Sequence, residues 1–279
     1  MKNFETKTKE IIEYCSNKPL VYESRPFGTY PICYRIMGKI FAQLHPQTEF
    51  YRLTLKCNPE KAYDYRQLYE GVVVRGYHCP AVQQPYWNTI DLTHFSNSSM
   101  LFQMIDEAYE EVIAKLTKKE KQQYFELSQL EFKETDGEDI DFAMLCGHLD
   151  EALDELVGGR AQRSQYHQYN KRDQIHHVIV VYQNGQPVGC GGFKMYDEEH
   201  AELKRIYTSP SCRGIGLGTE IVRRLEARAK ILGYRWCILE TGTPLKAAHH
   251  VYQKLGYQVI PNYGPYVGME LSICMKRKL

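Results

Sequence analysis

Hydrophobic positions near the amino terminus recur at helical spacing. Phe4, Ile11, Ile12 and Cys15 fall on one face of a helix over residues 2–15. Lys18-Pro19 and Arg25-Pro26-Phe27-Gly28 then break the pattern into turns. Beyond them the period shortens to two: Tyr34, Ile36, Ile40 and Ala42 alternate across Gly38, and Tyr51, Leu53 and Leu55 alternate with Arg52, Thr54 and Lys56, which predicts half-buried strands. Asn58-Pro59-Glu60 predicts a helix start. Asn caps, Pro fills the first helical position where no amide donor is needed, Glu meets the positive end of the dipole, and the helix runs to about Glu70. Short strands over 72–74 and 87–92 flank a Pro-containing loop. Leu101, Phe102, Ile105, Tyr109, Val112, Ile113 and Leu116 then draw an amphipathic helix.

From Leu116 to Ser128 the chain reads LTKKEKQQYFELS, polar enough for an exposed helix end or a linker, and a boundary near residue 127 follows. The second half predicts a strand over 130–133, helical segments over 138–157, a Gly158-Gly159 break and a polar stretch. Strands over 178–182 and 188–195 pair as a hairpin, because Asn184-Gly185 lies between them. Further strands over 202–208, 236–241 and 268–275 alternate with helices over 219–232 and 244–255. The expectation is an α/β (α+β) chain of two domains, 1–127 and 128–279, the second a mixed α/β unit without internal repeats.

Length and composition agree with two globular units: 279 residues exceed the usual size of one core, and 43% hydrophobic with 25% charged residues excludes wholesale disorder. Lys and Arg total 35 against 34 acidic residues, 16 against 15 up to Leu127 and 19 against 19 after it, so neither half is basic. That balance weighs against sequence-independent nucleic-acid binding, which needs uncompensated cations. The nine cysteines are scattered without CxxC pairs and read as reduced core residues. His78-Cys79, His176-His177 and His249-His250 are adjacent pairs whose side chains diverge, so no metal is expected. The amino terminus lacks the apolar stretch of a signal peptide, and no run approaches the ~18 residues that span a bilayer; a cytoplasmic, non-membrane protein is expected.

Chemistry concentrates in Ser209-Pro210-Ser211-Cys212-Arg213-Gly214-Ile215-Gly216-Leu217-Gly218-Thr219, between a strand and a helix built on Ile221, Val222, Leu225 and Ala229. Glycines at alternate positions let successive backbone amides face one concavity at a helix N-terminus, where the dipole favours an anion, and Arg213 adds a positive charge. The spacing is not G-x-G-x-x-G and the P-loop Lys-Ser/Thr pair is missing, so neither a dinucleotide nor a P-loop site fits; a plain Gly-rich turn stays open.

The wider text, AELKRIYTSPSCRGIGLGTEIVRRLEARAKILGYRWCILETG followed by AAHHVYQKLGY, resembles the GNAT N-acetyltransferase family over most of 128–279. The resemblance implies that Arg213, Gly216 and Gly218 form the acetyl-coenzyme A pyrophosphate loop. The amides of Arg213, Gly214, Ile215, Gly216, Leu217, Gly218 and Thr219 would hold the phosphates, and the backbone of Ile206, Tyr207 and Thr208 would pair with the pantetheine arm. It further implies Tyr252 as the acid that protonates the departing thiolate and Glu202 as the base, directly or through water. Tyr252 reads equally as a buried aromatic, and Glu202 as a solvated strand-end charge. One departure is Leu245, three residues before Ala248, where the family often has a polar cofactor contact; Thr243 is the substitute. Acetyl-coenzyme A is then the cosubstrate and coenzyme A the product, with attack by a primary amine in a ternary complex.

The run KCNPEKAYDYRQLYEGVVVRGYHCPAVQQPYWNTIDL is similar to the MmcQ/YjbR family, small domains with a CyaY-like fold. That family is described as DNA-binding, and Arg35, Lys39, Arg52 and Lys56 beside Tyr34 and Tyr51 offer a candidate surface; a wet strand face fits the same residues. Two readings result: an N-acetyltransferase with an accessory domain, or a DNA- or partner-binding protein that senses acetyl-coenzyme A. The acceptor amine is not specified. Residues 160–174, the loop before Ala201 and 261–268, with Tyr263 and Tyr266, are its expected determinants.

Overall fold

The computed structural model describes residues 2–76, 79–157, 159 and 172–279. The chain divides into two compact units, Met1–Tyr124 and Phe125–Leu279.

The first unit carries α1 (Lys2–Ser16), β1 (Tyr22–Ser24), β2 (Ile32–Ile36), β3 (Lys39–Gln47), β4 (Phe50–Lys56), α2 (Pro59–Leu68), β5 (Val73–Arg75), β6 (Trp87–Asp91) and α3 (Ser98–Ala114). Its antiparallel sheet has the order β1-β2-β3-β4-β6-β5. The alternation read across Gly38 is two strands joined by a two-residue turn at Met37 (φ 51°) and Gly38 (φ 81°): Ile36 pairs with Lys39 and Arg35 with Ile40, and a bulge beyond them brings Ala42 opposite Tyr34. The α3 face of Leu101, Met104, Ile105, Ala108, Tyr109 and Val112 is buried, with the Phe41 ring edge-on to Tyr109 at 5.7 Å. Asn58 caps α2 as its side chain accepts the Glu60 amide at 2.9 Å.

The polar stretch taken for a helix end or linker is a helix in its own right, α4 (Lys118–Leu127). A reciprocal cap starts it: the Thr117 hydroxyl accepts the Glu120 amide at 3.2 Å, and the Glu120 carboxylate accepts the Thr117 amide at 2.8 Å. The division between the units lies within this helix.

Several residues of the candidate nucleic-acid surface on the first unit take part in the packing and polar contacts of the fold. Tyr34 and Tyr51 are buried and offer no face to a base. Lys39 pairs with Glu120 at 2.8 Å, Arg35 donates to Ser24 Oγ at 2.9 Å and to the Gly38 carbonyl at 2.6 Å, and Lys56 lies over the Tyr86 and Trp87 rings at 5.1 and 5.0 Å.

The second unit contains β7 (Leu130–Thr135), α5 (Ile140–Val157), β8 (His177–Gln183), β9 (Gln186–Met195), β10 (His200–Thr208), α6 (Leu217–Ile231), β11 (Trp236–Gly242), α7 (Lys246–Lys254), β12 (Gln258–Ile260) and β13 (Ser272–Lys278). The sheet order is β12-β13-β11-β10-β9-β8-β7, antiparallel except for β10 and β11. Asn184 (φ 50°) and Gly185 (φ 75°) make the expected hairpin turn. The last strand begins at Ser272, not 268, and β12 is a three-residue strand with no periodicity to reveal it.

Helices cover both faces of the sheet centre. Phe142, Leu145 and Cys146 of α5 pack with Val178, Val180, Cys190 and Tyr207. On the opposite face α6 approaches Gly189 and Gly191, since neighbouring residues of a strand point to opposite sides. A Cβ on Gly191 would stand 2.5 Å from Ile206 Cδ1 and 2.8 Å from Ile221 Cγ2, so glycine is what allows the contact. All nine cysteines are free thiols. Among the described residues no His/Cys/Asp/Glu group is arranged to hold a metal, and no helix is long and apolar enough to cross a membrane.

Candidate active site

The site is built on a strand that loses one neighbour partway along. The parallel ladder between β10 and β11 pairs His200 with Trp236 through Leu203 with Leu239 and stops there. From Lys204 to Thr208, β10 pairs with β9 alone, so backbone groups on its other edge stay available to an extended ligand. A bulge lies in this stretch: Lys204 opposes Gly192 and Tyr207 opposes Cys190, with Arg205 at φ 58°. The side chains of Tyr207 and Ile206 point into the packing on either face. What Ile206, Tyr207 and Thr208 offer on the free edge is backbone.

The glycine loop follows directly. Pro210–Cys212 form a 3-10 turn, Gly214 and Gly216 take φ values of 84° and 92°, and Gly216 precedes the first residue of α6 without any side-chain cap. A helix start leaves its first amides without intrahelical acceptors, so the amides of Leu217, Gly218 and Thr219 are free for an anion. Arg213 is exposed and donates from Nε to the Thr208 carbonyl at 3.3 Å, which ties the end of β10 to the loop. Gly218 differs from the other two. A Cβ there would meet only Thr208 Cγ2 at 3.8 Å, so packing does not require glycine.

Glu202 is not a solvated strand-end charge: it is 3% exposed. Lys204 Nζ lies 3.0 Å from its Oε1, the Tyr263 and Tyr266 hydroxyls donate to the same oxygen at 3.1 and 3.3 Å, and Lys194 Nζ is 3.6 Å from Oε2. Tyr263 and Tyr266, read beforehand as acceptor determinants, therefore serve Glu202. Burial pushes both phenols far above the usual tyrosine range, with Glu202 adding to the shift, so they remain donors at any ordinary pH.

Tyr252 lies on α7, 7% exposed, and its hydroxyl makes no hydrogen bond among the described residues. Burial raises its pKa, with the charge of Glu240 as a second cause. Glu240 also bears on Lys204 and accepts a hydrogen bond from Ser272 Oγ at 2.7 Å, so it is the electrostatic neighbour common to Tyr252 and the Glu202 cluster. The Thr243 amide is taken by the Leu271 carbonyl at 2.9 Å, which leaves its side chain for any ligand contact; Leu245 caps α7 without a side-chain bond, and Ala248 is half-buried in that helix. Lys194, Lys204 and Glu240 were missed from the sequence. The signal for the Glu202 and Lys204 pair was there: opposite charges two residues apart in the ELK of a strand fall on one face. Most of the polar stretch 160–174 expected to shape acceptor choice lies outside the described residues.

The second unit thus joins a strand with a freed edge to an uncapped helix start, and holds a buried carboxylate, Glu202, and a buried phenol, Tyr252. Residues 142–257 match the model of the acetyltransferase (GNAT) family, and residues 16–111 match that of the YjbR family. An IAA acetyltransferase of Azospirillum brasilense is 31% identical over 102 residues, which span 36% of this chain and 67% of the relative. The N-acetyltransferase YsnE of Bacillus subtilis, itself uncharacterised, is 28% identical over 101 residues, again 36% and 67%. A solved N-acetyltransferase of Thermoplasma acidophilum in complex with coenzyme A shares 17% identity at a TM-score of 0.43, covering 54% of this chain and 99% of that one. The chain belongs to the acetyltransferase (GNAT) family through its second unit, and its first unit contains the stretch similar to the YjbR family.

Proposed function

We propose that the second unit transfers the acetyl group of acetyl-coenzyme A to a primary amine. The observation that carries this is the end of the β10–β11 ladder at Leu203 and Leu239, immediately before the uncapped amides of α6. The free edge of Lys204–Thr208 suits the amides of a pantetheine arm, and Gly214 to Thr219 suit a pyrophosphate, with Arg213 adding its charge. When bound, acetyl-coenzyme A supplies an activated acyl thioester.

The chain's own groups do the rest. Glu202, buried and ringed by donors, accepts the proton that the amine sheds on attack. Tyr252, kept neutral by burial, gives a proton to the sulfur that departs. Thr243 stands in for the missing polar contact at Leu245.

Two measurements test the reading. Calorimetry with coenzyme A and acetyl-coenzyme A should show binding by the full chain, and thiol release across a panel of amines should identify an acceptor. No binding at high micromolar cofactor would refute the proposal. Binding without turnover on any amine would leave a protein that senses acetyl-coenzyme A.

A further inference from the structure

A carboxylate that collects a proton works best with one oxygen held and the other open. Residues two apart on a strand share a face, so Glu202 and Lys204 project together from β10, and Lys194 is the cross-strand partner of Glu202 on β9. Their contacts divide unequally between the two oxygens. Oε1 receives Lys204 Nζ at 3.0 Å and the hydroxyls of Tyr263 and Tyr266 at 3.1 and 3.3 Å. Among the described residues Oε2 has only Lys194 Nζ, at 3.6 Å, beyond good hydrogen-bond range. The Tyr266 hydroxyl accepts from Lys204 Nζ while donating to Glu202, and the ammonium lies 5.1 Å from the centre of the Tyr266 ring. Three donors exhaust the acceptor capacity of Oε1 and leave that of Oε2 largely unused.

We infer that Lys204, with Tyr263 and Tyr266, is a positioning group that saturates Oε1 of Glu202 and sets a positive charge against the carboxylate, so that Oε2 is the atom that takes the acceptor's proton. The inference rests on Glu202 acting as the base and specifies how it is set up. The pair is mutual: Lys204 is 7% exposed, burial pulls its ammonium below the ordinary lysine range, and Glu202 opposes that shift. The other titratable groups around Glu202 are Lys194 of β9, Glu240 of β11 and Cys274 of β13, besides the two tyrosines. None of these replaces Lys204 on Oε1. The acceptor accordingly approaches from the Lys194 side, where the side chain is 21% exposed against 3% for Glu202.

The test is a carbon-13 titration of the glutamate side-chain carboxyls in the full chain, with the Glu202 signal assigned by its loss in Glu202→Gln. In Lys204→Met the midpoint should rise by about one to three pH units, the usual effect of removing an adjacent opposite charge. In Lys204→Arg it should stay near the wild-type value. With an amine that the panel shows to be acetylated, the acid limb of the pH profile should rise in step, and kcat should fall with KM for acetyl-coenzyme A little changed. A midpoint unmoved in Lys204→Met overturns the inference. Should that variant fail to fold, Tyr263→Phe and Tyr266→Phe each remove one donor and must raise the midpoint by a smaller step; no rise in either overturns it equally. Absence of coenzyme A binding in the wild type would refute the acetyltransferase reading instead, and the titration would still decide whether Lys204 sets the charge of Glu202.

Discussion

Leu203 and Leu239 form the last rung of the parallel ladder between β10 and β11. Both strands continue past it, β10 to Thr208 and β11 to Gly242, yet each keeps only its antiparallel neighbour, β9 or β13. The second unit thus opens along a line at its own centre. Backbone groups that a closed sheet would consume are left for a ligand, with the Glu202 cluster beside the rung where the opening starts.

The two roles of glycine in the loop should separate experimentally. Gly216 needs a positive φ, so Gly216→Ala should destabilise the second unit by roughly 1–2 kcal/mol. Gly218 has room for a side chain, so Gly218→Val should keep the melting temperature within a few degrees while weakening coenzyme A binding at least tenfold. Thermal melts and calorimetry on both variants check the contrast.

Tyr252→Phe removes a hydroxyl that has no bonding role in the described structure. Turnover should fall by about 10²-fold or more, as for loss of a general acid, with coenzyme A affinity unchanged. Because burial raises the Tyr252 pKa, its deprotonation should not shape the pH profile below pH 10. An unaltered rate in a steady-state assay would remove Tyr252 from the mechanism.

Glu120 gives a pH signature to the first unit. Its hydrogen bond from Lys39, together with the amide of Thr117, lowers its pKa from 4.5 to about 2. A depressed acid contributes stability above its unfolded pKa and loses it as pH falls through the folded one. The melting-temperature deficit of Glu120→Gln should therefore be full at neutral pH and shrink between pH 4.5 and about 2. A deficit independent of pH would show that Lys39 and the cap do not hold the charge.

Gly191→Ala should cost about 1–3 kcal/mol, since the new methyl meets two side chains well inside contact distance. Truncating Ile206 to Val, which withdraws the nearer of the two, should recover part of the loss. Denaturant midpoints for the single and double variants measure the coupling.

Much of this arrangement was legible in the sequence. Period-two alternation and Asn184-Gly185 place the β8–β9 hairpin, and the glycines around Ile215 announce a helix start without a cap. What escaped was non-local or short. Residues Thr117-Lys118-Lys119-Glu120 spell a reciprocal cap, yet high polarity suggested a linker. Three-residue β12 carries no period. The bonds of Glu202 come from β9, β10 and the segment after β12, and no local pattern in the chain foretells that Tyr263 and Tyr266, 61 and 64 positions further on, meet it. In the first unit, Tyr34 and Tyr51 could be assigned to a strand, but which side faced the helices was a matter of packing.

The bulge at Arg205 works as a phase shifter. Without it, strict alternation would put Lys204 and Tyr207, three positions apart, on opposite sides of the sheet; with it both oppose residues of β9 that share a side, Gly192 and Cys190. One strand thereby presents a polar segment and a core-packing segment to the same side while delivering its end to the glycine loop. Substitutions along β10 disturb one contact at a time. Deleting a single residue between Lys204 and Tyr207 would abolish the bulge and leave the two side chains on one side, two positions apart, so the bulge is what lets the strand carry an extra residue here without moving either.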